Sequence, residues 1–439
     1  MIIPSIDIIR GRTVQLVGGQ EQVLDAGDPM PWLEKFALAG EVAVVDLDAA
    51  RGEGSNRDVI ARMCAAGPCR VGGGIRDLAT ARFWLDAGAV RIVIGTAADP
   101  ALLRQLPRDR VVVALDAMEG EVVVDAWRTR TDRSVEERLT ELREYADGFL
   151  VTFVERDGRL AGTDLARAAG IAAAGGDARI TIAGGVTMIE EIAGLDRIGA
   201  DAQVGMALYT GRLSLGAAIA APLTSDRDDG LIATVVTNEM GTALGLAWSS
   251  AQSIARAVDE RRGVYQSRTR GLWIKGGTSG ATQQLLRVTP DCDRDAVRFT
   301  VRQKAPGFCH RDTATCWGEA PPLEALEALV RARIASPSSG GDDAARVSGP
   351  GSPAGASYTG RLIADPALLR DKLVEEAGEL ADAGTSAEVA REAADVLYFT
   401  MVRMAAAGVT LADVSRELAQ RARRITRRPG DRKPQGHTG

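Results

Sequence analysis

A short run of aspartates with one cysteine among them carries the most distinctive chemistry in the sequence. The run TPDCDRDAV places Asp291, Asp293 and Asp295 at every second position, with Cys292 between the first two. On a β-strand, alternate side chains point to opposite faces, so we expect the three carboxylates on one face and the thiol on the other. Carboxylates suit Mg²⁺ or Ca²⁺, whereas a thiolate suits Zn²⁺. The run predicts two adjacent metal sites; a solvated edge strand is the alternative.

Two further cysteines follow in FCHRDTATCW. With Cys292, the thiols of Cys309 and Cys316 would give Zn²⁺ three ligands. The fourth tetrahedral position would stay open, which is typical of a catalytic zinc that activates water. His310 is one of two histidines in the chain. Because it follows a candidate zinc ligand directly, we predict that it is a catalytic proton shuttle.

Acidic residues at helical spacing mark the C-terminal region. In DKLVEEAGELADAG, Glu375 and Glu376 precede Glu379 by four and three residues, and Glu392 and Asp395 lie three apart in the next predicted helix. Residues three or four apart share a helix face. Carboxylates that face a bundle interior need a cation, and Mg²⁺ suits a polyphosphate substrate. Ordinary Glu-rich surface helices are the alternative.

Two aspartates in the N-terminal region are candidate acid–base groups. Asp7 in SIDIIRG and Asp116 in ALDAMEG each end an apolar run that predicts a buried strand. Barrel enzymes place their catalytic groups at the C-terminal ends of strands. Two carboxylates whose pKa values differ can divide the roles of general acid and general base. A turn or helix cap is the alternative for either aspartate alone.

Gly-rich turns after predicted strands supply candidate phosphate sites in the same region, because their free backbone N–H groups can bind phosphate. The turns fall into two pairs, so we predict a substrate with a phosphate at each end. The candidate residues are Gly73, Gly74, Gly95 and Thr96 in one pair, and Gly184, Gly185 and Gly205 in the other.

Strands and helices that alternate along residues 1–222 must position these groups. AVVDLD, RIVIGT and RITIAGG predict buried parallel strands between Ala-rich helices. SIDIIRG pairs with ALDAMEG, VGGGIR with IAGGVT, and IGTA with VGMA, each at a spacing of about 110 residues. This repeat favours a (β/α)₈ TIM barrel of two similar halves over an open doubly wound sheet.

The remaining regions differ in composition. Residues 228–320 predict a β-rich α+β domain and 321–428 an all-α bundle, while the low-complexity stretch 336–356 and the tail 429–439 predict disorder. A net charge of −6 argues against nucleic acid or an anionic membrane as a partner. The sequence has neither a leader pattern nor an apolar run of about 20 residues, so we expect a cytoplasmic protein.

Segments GLIATVV, YQSRTRGLWIKGGTSGATQ, PDCDRDA and FCHRDTATCW together resemble phosphoribosyl-AMP cyclohydrolase, over about residues 230–318. The resemblance implies hydrolytic opening of the adenine ring, Mg²⁺ on the three aspartates, Zn²⁺ on the three cysteines, and a homodimer that shares the zinc site. Ala281 stands where many members have histidine, which leaves His310 for acid–base work. A motif rich in phosphate-compatible donors contains Arg268, Lys275, Thr278 and Ser279.

The C-terminal region resembles the all-α phosphoribosyl-ATP pyrophosphohydrolase. SYTGRL, KLVEEAGE, REAADVLYF and GVTLADVSREL match that family's motifs in order, over about residues 322–428. The stretch 336–356 departs from the family as an enlarged loop. The resemblance implies that Mg²⁺ is bound by Glu375, Glu376, Glu379, Glu392 and Asp395.

The N-terminal region, about residues 1–220, resembles the histidine-pathway isomerase that converts the aminoaldose ProFAR to the aminoketose PRFAR. IPSIDIIRG, VVDLDAARGEGSN, VGGGIR, ALDAMEG, TFVERDGRLAG, IAGGV and VGMALYTG carry this resemblance. It implies Asp7 as base, Asp116 as acid and Thr152 as a supporting group. The departures are TVQLVGGQ, in place of an Arg-Leu and an acidic-aromatic pair, AVVDLD without the histidine that commonly precedes VDLD, and Arg159 in place of threonine.

The three resemblances correspond to consecutive steps of one pathway. They predict a multifunctional histidine-biosynthesis enzyme that acts on phosphoribosyl-ATP, phosphoribosyl-AMP and ProFAR and uses Zn²⁺ and Mg²⁺. The alternative is a bifunctional cyclohydrolase and pyrophosphohydrolase. In that case the barrel would be a non-catalytic binding or oligomerisation module, or would act on a related phosphoribosyl substrate of tryptophan synthesis.

Overall fold

The computed structural model describes residues 1–125, 127–305, 307–318, 320–335 and 357–426. The chain divides into two compact units, Met1–Pro306 with Gln420–Gly439, and Gly307–Ala419. The stretch 336–356 and the tail 429–439, both predicted to be disordered, lie outside the described residues. The domain boundaries drawn from the sequence stay predictions.

A closed barrel of parallel strands occupies the N-terminal half of the chain. Its strands pair in the ring β1–β4–β5–β6–β7–β10–β11–β12 and back to β1. This ring confirms the TIM barrel and excludes the open sheet. The strands of this region are β1 (Ile2–Ile9), β2 (Arg12–Val17), β3 (Glu21–Gly27), β4 (Val42–Asp46), β5 (Cys69–Gly72), β6 (Arg91–Ile94), β7 (Val111–Met118), β8 (Glu121–Val124), β9 (Thr129–Ser134), β10 (Gly148–Phe153), β11 (Arg179–Ala183) and β12 (Ala200–Val204).

Helices cover the outside of the barrel, and the longer ones bury apolar side chains. In α6, for example, Val135, Leu139 and Leu142 are buried, and a reciprocal capping box between Ser134 and Glu137 begins the helix. Three short 3₁₀ turns lie at Ala37–Ala39, Arg108–Arg110 and Val154–Arg156. The helices are α1 (Pro29–Phe36), α2 (Leu47–Arg51), α3 (Arg57–Ala66), α4 (Leu78–Asp86), α5 (Pro100–Leu103), α6 (Val135–Leu142), α7 (Leu165–Gly175), α8 (Ile189–Arg197), α9 (Met206–Tyr209) and α10 (Leu215–Ala220).

The predicted half-barrel repeat is visible in the backbone. Strands β1 and β7 have the same length, and an antiparallel hairpin follows each. Asp7 and Asp116 occupy the same position in these two strands. Gly73 and Gly184 also correspond: their φ angles are +92° and +91°, and a Cβ on either would lie within 2.4 Å of the neighbouring strand's backbone. Only glycine fits such a position without strain.

The strand-rich segment belongs to the same unit as the barrel. Its sheet has the order β14–β13–β18–β17, and β15 and β16 form a separate hairpin. The helix of this segment packs closely on α10, since a Cβ on Gly216 would lie 2.5 Å from Ala255 Cα. Its elements are β13 (Ile232–Thr237), β14 (Ala243–Ser249), α11 (Ala251–Glu260), β15 (Val264–Ser267), β16 (Gly271–Ile274), β17 (Gln283–Pro290) and β18 (Ala296–Gln303).

The second unit is helical, as predicted. Its core is formed by the buried side chains of Val330, Leu362, Leu369, Phe399 and Val402. Among the described residues no single helix is long and apolar enough to cross a membrane; α15 and α16 pass that test only as a pair bent by 103°. The helices are α12 (Pro322–Ala335), α13 (Tyr358–Ala364), α14 (Pro366–Asp382), α15 (Ser386–Ala406) and α16 (Leu411–Arg423), of which the unit includes residues through Ala419.

Candidate active sites

A cavity opens at the C-terminal ends of the barrel strands. Asp7 and Asp157 line it together with Gly184, Gly185 and Gly205. One predicted pair of phosphate-binding turns therefore lies beside the candidate base. The other pair, formed by Gly73, Gly74, Gly95 and Thr96, is not part of the lining of this cavity.

Burial perturbs the candidate base. It raises the pKa of Asp7 to about 6, although the Ser5 hydroxyl donates a hydrogen bond over 3.2 Å that favours the ionised form. Asp7 lies on β1 opposite Val14 of β2 and Val45 of β4. The backbone register of three strands thus fixes this carboxylate at the cavity.

Asp116 is held by two side chains as well as by its strand. Burial raises the pKa of Asp116, whereas hydrogen bonds from Trp127 and Thr152 oppose that rise. Thr152 lies directly opposite Asp116 in the pairing of β10 with β7. The structure therefore brings the predicted supporting threonine to the predicted acid.

A third carboxyl group, Asp157, was not predicted from the sequence. Burial raises its pKa to about 7, and the negative charges of Asp7 and Asp116 add to this effect. Carboxylates this close cannot all ionise freely, so Asp157 is partly protonated near neutral pH. The signal was present in TFVERDGRLAG, because Asp157 follows β10 at the catalytic end of the barrel.

Two more residues at the barrel mouth carried no clear sequence signal. Trp127 reaches Asp116 from the hairpin loop between β8 and β9, and its ring also lies against Gly19. Gln15, in the altered TVQLVGGQ loop, is buried beside Gly205 and donates its amide to the Val14 carbonyl over 2.8 Å. Part of the altered TVQLVGGQ segment therefore lies on β2 at the cavity, which Gln15 and Leu16 line.

The acidic run forms the turn between β17 and β18, so its expected placement within a strand is wrong. Pro290 ends β17, and Arg294 adopts a left-handed φ of +71°. The turn nevertheless brings the ligand atoms of Asp291, Asp293 and Asp295 within 4.8 Å of one another. Negative charge on Asp293 contributes most to raising the pKa of Asp295. Three clustered carboxylates fit a hard divalent cation.

The predicted zinc ligands lie in different parts of the chain. Cys292 belongs to the first unit; its thiol is exposed, with Sγ 3.8 Å from Asp293 Oδ1. Cys309 and Cys316 belong to the second unit, and all five cysteines are free thiols. A zinc site made of all three thiols remains a prediction.

Cys309 has the surroundings of a thiolate. The backbone N–H of Arg311 does most to lower its pKa, and hydrogen bonds from Thr313 and Cys316 act in the same direction. A lower pKa favours the form that binds zinc. His310 is exposed, with Nδ1 3.8 Å from Cys309 Sγ. The structure thus brings together two predicted zinc ligands and the candidate proton shuttle.

The predicted phosphate donors of the strand-rich segment lie on or directly after the β15–β16 hairpin. Arg268 is exposed in its turn, with the guanidinium 5.8 Å from the centre of the Trp248 ring. Lys275 is buried just after β16, and Thr278 and Ser279 follow in an exposed turn. One hairpin therefore presents all four groups.

In the helical unit, α14 and α15 place three carboxylates together. Ligand atoms of Glu376, Glu379 and Glu392 lie within 4.8 Å of one another. Desolvation is the largest cause that raises the pKa of Glu379, followed by the charges of Glu376 and Glu392. Mutual repulsion of this kind is relieved when a cation binds.

The other two predicted magnesium ligands stand apart from this group. Glu375 is not among the three clustered residues, although it shares Lys372 with Glu376: Lys372 Nζ lies 2.8 Å from Glu375 Oε2 and 3.2 Å from Glu376 Oε1. Asp395 is exposed one helical turn beyond Glu392 and is not among the three clustered residues. The structure therefore groups three of the five predicted ligands.

In comparisons with known proteins, a family model matches part of each of the three regions. The family model described as histidine biosynthesis protein matches residues 1–214. A phosphoribosyl-imidazole-4-carboxamide isomerase of Myxococcus xanthus is 38% identical over 229 residues, which cover 49% of this chain and 96% of that relative. The chain belongs to the histidine biosynthesis protein family. Models for phosphoribosyl-AMP cyclohydrolase and phosphoribosyl-ATP pyrophosphohydrolase match residues 245–318 and 352–422, which confirms the predicted order of the three families.

Fungal histidine-biosynthesis proteins are also similar to parts of this chain. A bifunctional protein of Schizosaccharomyces pombe is 46% identical over 222 residues, or 51% of this chain and 49% of the relative. A trifunctional protein of Neurospora crassa is 46% identical over 223 residues, or 51% of this chain and 24% of the relative. The chain thus spans about half and about a quarter of these two relatives. Enzymes of the cyclohydrolase and pyrophosphohydrolase families typically use metal ions.

Proposed function

We propose that this chain catalyses three consecutive cytoplasmic steps of histidine biosynthesis. These are release of pyrophosphate from phosphoribosyl-ATP, opening of the adenine ring of phosphoribosyl-AMP, and isomerisation of ProFAR to PRFAR. The observation that carries the proposal is the barrel mouth, where Asp7 and Asp157 have pKa values raised to about 6 and about 7 beside a Gly-lined cavity. A barrel that served only for binding or assembly would not require carboxyl groups tuned near neutral pH.

The isomerisation needs one proton delivered to open the sugar ring and another removed from C2 of the sugar. Asp7 is the proposed base, because a carboxyl with a pKa of about 6 is mostly ionised at neutral pH yet more basic than an ordinary aspartate. Asp116, positioned by Thr152, is the proposed acid. Asp157 joins it as a second proton donor, since its pKa of about 7 keeps part of it protonated.

Substrate binding in the barrel falls to the Gly-rich turns. Backbone N–H groups at Gly184, Gly185 and Gly205 are proposed to bind one phosphate next to Asp7. The matching turns at Gly73, Gly74, Gly95 and Thr96 would bind the phosphate at the other end of the substrate. Because only the first set lines the cavity, a one-phosphate substrate of tryptophan synthesis is the second candidate for the barrel.

For ring opening, the acidic turn is proposed to hold Mg²⁺ through Asp291, Asp293 and Asp295. Zn²⁺ is assigned to Cys292, Cys309 and Cys316, within a homodimer formed through this region. When bound, zinc supplies a water of lowered pKa. His310 would move the proton, and the hairpin residues Arg268, Lys275, Thr278 and Ser279 would hold the substrate's phosphate.

For pyrophosphate release, Mg²⁺ is proposed to bind the clustered Glu376, Glu379 and Glu392 of the helical unit, with Glu375 and Asp395 completing the set. When bound, the cation neutralises the triphosphate that water attacks. Lys372 already supplies a positive charge beside this group, with Nζ 3.2 Å from Glu376 Oε1. Both features favour a polyphosphate substrate.

One experiment tests all three assignments. Phosphoribosyl-ATP is supplied to the full chain with Mg²⁺ and Zn²⁺, and the accumulated product is identified by chromatography and mass spectrometry. The parent should form PRFAR, whereas Glu379→Gln should leave phosphoribosyl-ATP, Cys309→Ala should stop at phosphoribosyl-AMP, and Asp7→Asn should stop at ProFAR. Each variant should retain the other two activities when it is supplied with their own substrates, which provides the controls.

The second candidate is tested in the same assay. A parent chain that halts at ProFAR and converts the one-phosphate substrate of tryptophan synthesis would establish the barrel's other specificity. A parent that converts neither substrate would make the barrel a binding or oligomerisation module.

A further inference from the structure

Arg294 lies within the acidic turn, but its side chain forms an ion pair outside the turn. Its guanidinium pairs with Asp196, on α8 of the barrel: Nε lies 3.1 Å from Oδ2 and Nη2 lies 3.0 Å from Oδ1. Nη1 donates to the carbonyl of Asp291 over 2.6 Å. The side chain of Asp196 is 13% exposed and that of Arg294 is 23% exposed, so the pair is well shielded from solvent. These hydrogen bonds of the guanidinium thus go to Asp196 and to a backbone carbonyl, and not to the clustered carboxylates.

The backbone of the turn is arranged to keep this orientation. Arg294 has a φ of +71°, a left-handed conformation that is strained for a residue with a Cβ. Its carbonyl accepts a hydrogen bond from the N–H of Thr224 over 2.9 Å, just beyond the barrel. Asp291 Oδ1 accepts a second bond from the N–H of Ala296 over 3.1 Å. The segment after the barrel and the start of β18 therefore both fix the turn.

The guanidinium of Arg294 and a divalent cation would compete for the same carboxylates in this turn. Asp293 and Asp295 flank Arg294 in the sequence, so a guanidinium freed from Asp196 could reach their carboxylates. An arginine is a strong, often bidentate partner for a carboxylate, and it would occupy the oxygens that a divalent cation needs. An additional carboxylate outside the cluster removes this competition by pairing with the guanidinium first.

We propose that Asp196 of the barrel is a positioning residue for the cation site of the cyclohydrolase region, because its ion pair with Arg294 leaves Asp291, Asp293 and Asp295 available for a divalent cation. This inference rests on the proposed function of the acidic turn. It gives the barrel a role in ring opening that does not depend on the barrel's own reaction.

The chain offers a matched control for this ion pair. Glu34 of the barrel pairs with Arg261 at the end of α11, with Oε2 3.3 Å from Nη1. This pair also joins the barrel to the strand-rich segment, but it does not touch the acidic turn. Glu34→Gln therefore removes one barrel carboxylate without affecting Arg294. Glu34 is more exposed than Asp196, which also pairs with the N-terminal ammonium group over 3.1 Å.

The test measures Mn²⁺ binding to the full chain by the electron paramagnetic resonance signal of free Mn²⁺. Asp293→Asn first defines the part of the binding that belongs to the acidic turn. Asp196→Asn should weaken that part by about tenfold, whereas Glu34→Gln should match the parent. Asp196→Asn combined with Arg294→Gln should restore parental affinity. In ring-opening assays, Asp196→Asn should raise the Mg²⁺ concentration needed for half-maximal rate, with the rate recovering at saturating Mg²⁺.

Arg294→Gln alone keeps the proposal testable if Asp196→Asn fails to fold. It removes the competing charge and should bind Mn²⁺ at least as tightly as the parent; a weaker affinity would overturn the inference. Unchanged affinity in Asp196→Asn, or equal weakening in Asp196→Asn and in the double variant, would also overturn it. If Asp293→Asn does not change parental Mn²⁺ binding, the cation site itself is wrong and the inference falls with it.

Discussion

The barrel mouth and the helical unit both gather acidic side chains, but they surround them differently. At the barrel mouth, burial raises the pKa of Asp7 to about 6 and that of Asp157 to about 7. In the helical unit, Glu379 is exposed and Lys372 forms ion pairs with Glu375 and Glu376. The buried barrel carboxyl groups exchange protons near neutral pH, whereas the helical carboxylates, of which Glu376 is buried and Glu379 exposed, repel one another and attract a cation. The surroundings, more than the residue type, separate the two chemistries.

The backbone explains why the surroundings differ. Strand pairing fixes Asp7 opposite Val45 and Asp116 opposite Thr152, so the barrel holds its carboxyl groups where they lose water. Two helices that pack along each other carry Glu376, Glu379 and Glu392, with their long side chains directed toward one point. If the surroundings determine the chemistry, substitutions in the two regions should have different effects.

The largest effect is expected from Asp7→Asn. The amide cannot accept the proton from C2, so ProFAR turnover should fall by about 10²–10⁴-fold. Steady-state assays with ProFAR measure this loss, and pyrophosphate release should stay at the parental rate. Asp132→Asn is a suitable control, because Asp132 is exposed on β9 and asparagine tolerates its left-handed φ of +54°. Parental turnover in Asp7→Asn would mean that the barrel carboxyl groups do not carry the reaction.

Glu379→Gln should have the next largest effect. Loss of one negative ligand should weaken Mg²⁺ binding and slow pyrophosphate release by roughly 10²-fold. The release assay should be run across a Mg²⁺ titration, with Asp371→Asn as the control, since Asp371 is exposed on the same helix outside the cluster. A rate that is parental at every Mg²⁺ concentration would leave the cluster as a solvated helix face.

Sequence patterns predicted what depends on local periodicity. Strand and helix alternation and the half-repeat gave the barrel, and the repeat gave Asp7 and Asp116 because it placed them in register. Asp157 has no such partner in the pattern, and it meets the other two only when the barrel closes. Helical spacing predicted the meeting of Glu376 and Glu379. It could not exclude Glu375, which pairs with Lys372 as Glu376 does but lies outside the cluster.

The prediction of a strand at the acidic run was wrong for a local reason. Two neighbouring antiparallel strands need a turn between them, and Pro290 and the left-handed Arg294 supply it. Alternation within a strand was therefore the wrong reason for the clustering of Asp291, Asp293 and Asp295. Trp127 likewise depended on tertiary structure, because a hairpin loop carries no periodic signal.

A smaller effect is expected from Trp127→Phe. The ring is retained, but the hydrogen bond to Asp116 is lost, so the pKa of Asp116 should rise further above its ordinary value. ProFAR turnover should fall by up to about tenfold, since a single hydrogen bond contributes roughly 0.5–1.5 kcal/mol. The measurement is the pH profile of turnover: a shifted profile indicates an electrostatic role, while a uniform loss with an unchanged profile would contradict it.

The smallest effects are in stability, and they separate the two regions most directly. The folded-state pKa of Asp7 is raised from 3.8 to about 6, so its neutral form is favoured in the native barrel. Its contribution to stability is fully present below pH 3.8 and is lost as the pH rises through about 6. Asp7→Asn should therefore stabilise the chain, by roughly 1 kcal/mol more at pH 8 than at pH 5. Urea unfolding at the two pH values measures the difference, and a larger gain at pH 5 would contradict the burial argument.

The helical carboxylates should respond to a cation instead. Mg²⁺ should raise the thermal midpoint of the parent and of Asp7→Asn by the same amount, because a ligand stabilises only the state that binds it. It should raise the midpoint of Glu379→Gln much less. An equal Mg²⁺ response in all three would show that the cation binds elsewhere, and the contrast between proton-exchanging and cation-binding carboxylates would not hold.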